Sequence, residues 1–404
     1  MTKQSFGSFK YLLFVLLIIA GCSKESQREV EPEPEVVPEK EYFVSSTLIS
    51  SFTKAQLQAT ATNLGLDAFK DAILYDVDFY QFIYNTTLNG KDIQASGLLC
   101  VPKGMSTAPA LLSAQHGTIF SDAEAPSNFP RTYSGFEILA SAGYVTLIPD
   151  YIGYGVSASV QHPYYDMQSS GLTVVDMIKA SKEYLEKENK AINDKLFLLG
   201  YSEGGYVTMA AQREIETNAD HKLSITAAAE GAGGYDISLM LQKVTGVTSY
   251  PDPSFLALFI QSYNTLYGFN RPLTDYFKEP YAARVPQLLD GSRNGTQING
   301  QLTNTPTDLF ADAFYGSLTN ANAEAAFKAK VAENSFPNWS PKSVTRLYHG
   351  TADANVFIET SQSTYDRFRA AGATNVTLIP IPGGTHQTSV FPMVQDALQW
   401  FATR

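Results

Sequence analysis

Apolar and polar positions along this chain follow two rhythms, and one long stretch follows neither. Residues 77–85 and 93–101 are strand-like, and Asn89-Gly90 between them is a strong hairpin signal. The sheet is therefore expected to begin antiparallel. Short apolar runs then recur at 110–114, 144–148, 196–199 and 225–229. Between the second and third of these, residues 169–188 carry Leu172, Val175, Met177, Ile178 and Leu185 at helical spacing. Such alternation predicts a mostly parallel sheet with helices on both faces. The rhythm stops near Asp236. Residues 237–342 are richer in Tyr, Phe, Pro and Asn, with helix-like pieces at 254–267, 308–315 and 322–332; Thr305-Pro306 and Asn320 resemble helix starts. Sheet rhythm resumes at 344–348 and 376–381, and a last helix is expected over 390–401. A short helix over 53–63 precedes the main sheet, and there is no internal repeat.

The N-terminus has a different pattern. Lys3 and Lys10 precede an apolar run over 11–20, shorter than the roughly 20 residues a membrane-spanning helix needs. It reads as the core of a signal peptide. It ends in Ile19-Ala20-Gly21-Cys22, which looks like a bacterial lipobox, with cleavage before Cys22 and lipidation of its thiol. A plain secretory signal with a chance cysteine is the alternative. Beyond it, Glu31-Pro32-Glu33-Pro34-Glu35 keeps an acidic segment extended as a tether. The expected organisation is a lipoprotein signal peptide (1–21), a tether (22–44), a catalytic domain (45–236 and 343–404) and a cap or lid insertion (237–342). The expected place is the bacterial cell envelope, with the membrane reached through the anchor at Cys22.

Composition narrows the partners. Hydrophobic residues make up 44%, enough to bury a large core. A net charge of −11, with only 17% charged residues, leaves no basic surface for a nucleic-acid backbone, so nucleic acid is not expected as a partner. The only cysteine besides Cys22 is Cys100, so no disulfide within the mature chain is expected. Cys100 lies in the apolar run Leu98-Leu99-Cys100-Val101 and reads as a buried, inert thiol; no turn motif marks it as a nucleophile.

The chemistry centres on Gly200-Tyr201-Ser202-Glu203-Gly204, a G-x-S-x-G that follows an apolar strand and precedes a helix expected over 206–215. The turn is tight enough to demand glycine on both sides of the serine, and it holds Ser202 above the sheet edge as a nucleophile. A serine hydroxyl needs a base. Of five histidines, His386 in Gly383-Gly384-Thr385-His386 follows the last expected strand, where the chain order Ser, acid, His places the imidazole. Two acids are open: Asp353, just past the strand at 344–348, and Glu230, at the end of the strand at 225–229. A tetrahedral intermediate needs backbone donors. The amide of Glu203 supplies one, and Gln115-His116-Gly117-Thr118 resembles a His-Gly oxyanion motif, offering the amide of Gly117 or Thr118 as the other. His116 itself reads as a brace for that loop or a second base.

Elbow, late acid and final histidine together resemble the α/β-hydrolase superfamily. The stretch Pro149-Asp150-Tyr151-Ile152-Gly153-Tyr154-Gly155 is similar to a segment of secreted bacterial esterases and fungal secretory lipases. The resemblance spans residues 76–404 apart from the insertion, and it implies a helical cap over the active site. It also puts Asp150 and Tyr151 near the oxyanion loop, as turn braces or, with His116 and Tyr201, as walls of a substrate pocket. The implied activity is carboxylic-ester hydrolysis through an acyl-enzyme, with no metal or cofactor. An envelope location and an aromatic cap suit a small-molecule or polysaccharide-linked ester, such as an acetyl or feruloyl ester, and suit lipids or short-chain esters equally. Gly-x-Ser-x-Gly-Gly-Tyr also resembles the elbow of prolyl-oligopeptidase-like peptidases, which makes peptide cleavage the second reading; a non-catalytic binding lipoprotein is the third. Phe255-Leu256-Ala257-Leu258-Phe259-Ile260 is either packing between cap and main domain or a lipid-seeking lid.

Overall fold

The computed structural model describes residues 40–404. The expected signal peptide, Cys22 and most of the expected tether lie outside the described residues. Strand β1 (Phe43–Phe52) pairs antiparallel with β2 (Asp76–Leu88), so Phe43 and Val44, expected outside the catalytic domain, belong to its sheet. β1 escapes a reading by periodicity because it is an edge strand with no fully buried residue. Its main side-chain anchor is Phe43, which packs on Phe82 and Tyr184.

Helix α1 (Lys54–Asn63) follows, capped by Thr53 and Gln56 in a reciprocal capping box. β2 turns into β3 (Lys91–Lys103) through Asn89 and Gly90, both at positive φ (50° and 72°), as a two-residue hairpin requires. The chain continues through β4 (Ala110–Gln115), β5 (Tyr144–Pro149), α2 (Met167–Lys187), β6 (Leu196–Tyr201), α3 (Glu203–Thr217) and β7 (Ala227–Gly231). β7 starts and ends two residues later than expected, because its ladder with β6 runs from Ala227 to Gly231 and so takes in Glu230.

Residues 237–342 are helical: α4 (Ile237–Val244), α5 (Pro253–Leu266), α6 (Tyr281–Leu288), α7 (Gly295–Asn299), α8 (Pro306–Leu309), α9 (Asp312–Ser317) and α10 (Ala325–Glu333). The single helix expected over 308–315 is broken into α8 and α9, because Phe310 turns extended and bridges to Phe277. Then come β8 (Val344–Gly350), α11 (Ile358–Ala370), β9 (Val376–Ile381) and α12 (Val390–Phe401). The crossover α11 has no apolar stripe: its buried face is Thr360, Ser361 and Thr364, closed by Phe368.

The nine strands form one sheet in the order β1-β2-β3-β5-β4-β6-β7-β8-β9, antiparallel up to the β3–β5 pair and parallel from there. Val174, Val175 and Ile178 of α2 and Val207 of α3 pack on one face with Leu198 and Ala228; Leu57 of α1 and Met393 and Ala397 of α12 pack on the other with Phe79 and Ala229. From β4 the chain steps outward to β5 and then back across to β6. The strand order therefore reverses beside β4, and a crevice opens past the carboxyl ends of β4 and β6, where ligands bind in open α/β sheets. The 237–342 segment packs through Leu256, Phe259 and Tyr263 of α5 into one apolar cluster with Tyr206 and Met209 of α3.

Candidate active site

β6 is buried along its whole length and delivers the chain to Ser202 at φ 61° and ψ −128°. That conformation costs a non-glycine residue about 1–3 kcal/mol and persists only where neighbours over-determine it. Here the Ser202 amide donates to the Gly231 carbonyl (2.8 Å), and its own carbonyl accepts from Gly205 and Tyr206 to start α3. A Cβ on Gly200 would run into the Gly204 carbonyl, one on Gly204 into the Gln115 carbonyl, and one on Gly205 into the Gly231 carbonyl. The elbow thus needs three glycines, since the backbones of β4 and β7 close on it as well as its own.

His386 lies between Ser202 and Asp353. Its Nδ1 is 2.7 Å from Asp353 Oδ2 and its Nε2 is 2.8 Å from Ser202 Oγ. A carboxylate only accepts, so Nδ1 carries the proton and Nε2 is left to accept from the serine hydroxyl. Burial alone would raise the pKa of Asp353. The nearby His349 imidazole, the hydrogen bond from His386 and its charge, and the Val356 amide outweigh burial and hold the carboxyl well below the usual range. Oδ1 accepts from the amides of Asn355 and Val356, both at 2.9 Å. The two loops that carry acid and histidine are stitched together: Ala352 N donates to Gly384 O (2.9 Å) and Thr351 N to Ile381 O (3.0 Å). Glu230, the other candidate acid, is fully buried with neither carboxyl oxygen hydrogen-bonded, and burial raises its pKa well above the ordinary value. It makes no hydrogen bond to His386, and β7 holds it within the sheet one strand away from β8, which leads to Asp353.

On the oxyanion side, the amide of Glu203 begins α3 and has no preceding-turn carbonyl to bond. A Cβ on Gly117 would lie 3.5 Å from Ser202 Cβ, so the Gly117 backbone faces Ser202. The Thr118 hydroxyl lies 2.9 Å from Tyr164 OH, and the Thr118 backbone amide stands beside that of Gly117 as a candidate donor. His116 is a brace: it is buried, its Nδ1 donates to the Gly117 carbonyl (2.7 Å), and its ring stacks on Tyr151 at 4.2 Å.

The expected pocket walls need correction. The cavity that reaches Ser202 measures about 50 Å³ and is lined by Tyr164, Tyr165, Tyr250, Phe255 and Phe259 among others, and not by His116, Asp150, Tyr151 or Tyr201. Those four residues spend their polar atoms on the scaffold. Asp150 accepts from Ser96 Oγ (2.6 Å) and the Ser127 amide (2.8 Å); Tyr151 donates to His116 O (2.8 Å); Tyr201 donates to His386 O (2.7 Å) and so ties the elbow to the histidine loop. Cys100 is free, fully buried in β3, and burial pushes its thiol up. Among the described residues, no three of His, Cys, Asp and Glu are grouped to hold a metal ion.

Two groupings around the site were not anticipated. His349 is fully buried behind Asp353, with Nε2 donating to Val356 O and Nδ1 accepting from Ser361 Oγ, both at 2.7 Å. Its signal was its place four residues before the acid. His162 pairs with Glu203 at 2.6 Å. Positions so far apart in the chain carry no such signal.

A strand order that reverses beside β4 and a strained serine between β6 and α3 are the marks of an α/β-hydrolase. A family model of secretory lipases matches residues 136–404, and the chain belongs to that family. It is an ester hydrolase and a secreted protein. Among the described residues no helix is long and apolar enough to cross a membrane. Solved structures of similar fold include a Legionella pneumophila protein (24% identity, TM-score 0.83, covering 90% of this chain and 98% of that one). The rice cell wall degrading esterase LipA from Xanthomonas oryzae also matches (24%, 0.78, 90% and 97%). So does Candida antarctica lipase A in its closed state (17%, 0.63, 89% and 82%). No curated protein matches the sequence.

Proposed function

We propose that this protein hydrolyses carboxylic esters through a Ser202–His386–Asp353 triad and an acyl-enzyme. The observation that carries the reading is the continuous line of hydrogen bonds from Asp353 through His386 to Ser202. Ser202 Oγ attacks the acyl carbon as His386 Nε2 takes its proton. The amides of Glu203 and Gly117 receive the oxyanion, His386 returns the proton to the departing alcohol, and water then releases the acid. Asp353 holds the imidazole in the required tautomer and stabilises its charged form. Residues 237–342 act as a cap: α4 and α5 supply Ile237, Met240, Leu241, Phe255, Leu256 and Phe259 to the cavity. About 50 Å³ is room for a few water-sized groups, which favours a short acyl chain. That LipA degrades a plant cell wall supports a polysaccharide-linked ester as the substrate class. The envelope anchor at Cys22 is part of the same reading.

Purified protein assayed on p-nitrophenyl esters of graded chain length, a feruloyl ester and a peptide amide tests it. Turnover should be highest on short acyl chains and absent on the amide. Cleavage of the amide with every ester inert would replace the reading with a peptidase.

A further inference from the structure

Glu203 follows the nucleophile directly, and in the proposed mechanism its backbone amide stabilises an oxyanion. A carboxylate on that same residue is adverse, since a buried negative charge would oppose the charge that develops on the substrate. The side chain is buried, with 2% exposed, and its Oε1 lies 2.6 Å from His162 Nε2. His162 is equally enclosed, with 6% of its side chain exposed, and packs among the rings of Tyr151, Tyr154 and Tyr164 at 5.0–6.0 Å. Its other ring nitrogen, Nδ1, is 2.7 Å from the Ile152 carbonyl. That carbonyl only accepts, so Nδ1 carries a proton, and a second proton must lie in the contact between Nε2 and Oε1. Whichever of those two atoms holds it, the pair is net neutral.

We propose that His162 is a positioning residue for ester hydrolysis: it neutralises Glu203 beneath the oxyanion hole and fixes the start of α3 against the loop that carries Tyr164 and Tyr165. The inference rests on the reading of Ser202 as the nucleophile and of the Glu203 amide as an oxyanion donor. The geometry supports a coupled role. Gly153 lies so close to the His162 backbone that a Cβ there would overlap it, and His162 Nδ1 ties the loop to the Ile152 carbonyl. The Tyr164 amide donates to Ser262 Oγ, and Ser262 Oγ donates to the His162 carbonyl, so α5 holds the same loop from above.

The pair makes a prediction that a purely structural contact would not. His162→Gln removes the only group of the pair that can carry a positive charge, so ionisation of Glu203 at alkaline pH is no longer neutralised, and kcat at about pH 8–9 should fall roughly 10–100-fold with KM changed little. Glu203→Gln removes the charge and still donates to a neutral His162, so its loss should be under about tenfold. The double variant His162→Gln/Glu203→Gln should regain most of the activity that His162→Gln loses. Kinetics of the three variants and wild type on one short-chain p-nitrophenyl ester decide it, with the fraction of competent enzyme counted by fluorophosphonate titration so that misfolded protein does not enter kcat. A double variant no more active than His162→Gln, or a His162→Gln enzyme with wild-type kcat, overturns the proposal. Ser202→Ala run alongside keeps the two readings apart: if it is as active as wild type, the catalytic assignment itself fails.

Discussion

Asp353 and Glu230 are two buried carboxyls whose pKa values move in opposite directions. Burial raises the pKa of both, but Asp353 meets two histidines and two amides while Glu230 meets no partner. A buried carboxyl without hydrogen bonds stays protonated. Asp353→Asn should therefore lower kcat by about 10³–10⁴-fold with the fold intact, because the amide supports the wrong tautomer of His386. Glu230→Gln, a near-isosteric copy of the neutral carboxyl, should keep its turnover. It should also change the pH dependence of stability. The raised folded-state pKa of Glu230 costs the native protein stability as pH rises above the ordinary carboxylate pKa, where the unfolded chain ionises and the folded one does not. Melting temperatures of wild type and Glu230→Gln should agree near pH 4 and diverge towards pH 8, the variant melting higher. Equal melting curves at all pH values would mean that Glu230 has an undetected partner.

Among the elements, the elbow is where sequence and packing agree most closely. The strand, the glycines and the helix at 196–217 are all legible, because each glycine answers to a backbone carbonyl that a side chain would strike. Gly204 is the most demanding, since its contact is with Gln115 on the oxyanion strand and not with its own turn. Gly204→Ala should push β4 and α3 apart, cost a few kcal/mol of stability and reduce kcat by about 100-fold or more. Denaturant unfolding and steady-state kinetics check both, and a Gly204→Ala enzyme with wild-type kcat would show that β4 yields without moving Gly117. Other elements were illegible for physical reasons. β1 buries no residue fully, and α11 presents small polar side chains to the sheet, so neither carries the apolar period on which a sequence reading depends. The break between α8 and α9 arises from the Phe277–Phe310 bridge, a contact between distant segments.

Across the whole molecule, the fold class was legible because the alternation of short apolar runs and helices leaves few architectures open. That Ser202, Asp353 and His386 lie in hydrogen-bonding sequence could be expected because chain order constrains where they meet. The walls of the cavity could not, since Tyr164 and Tyr165 before α2, Tyr250 and α5 line it beside Ser202 from segments distant in the chain. The central claim is that Ser202 Oγ is the atom to which the acyl group is transferred. Intact-mass spectrometry after fluorophosphonate treatment, with peptide mapping of the adduct, tests it most directly. One adduct per chain, located on Ser202, with esterase activity lost in step and no labelling of Ser202→Ala, is the expected result. An adduct on any other residue, or a Ser202→Ala enzyme that still hydrolyses esters at the wild-type rate, would contradict it.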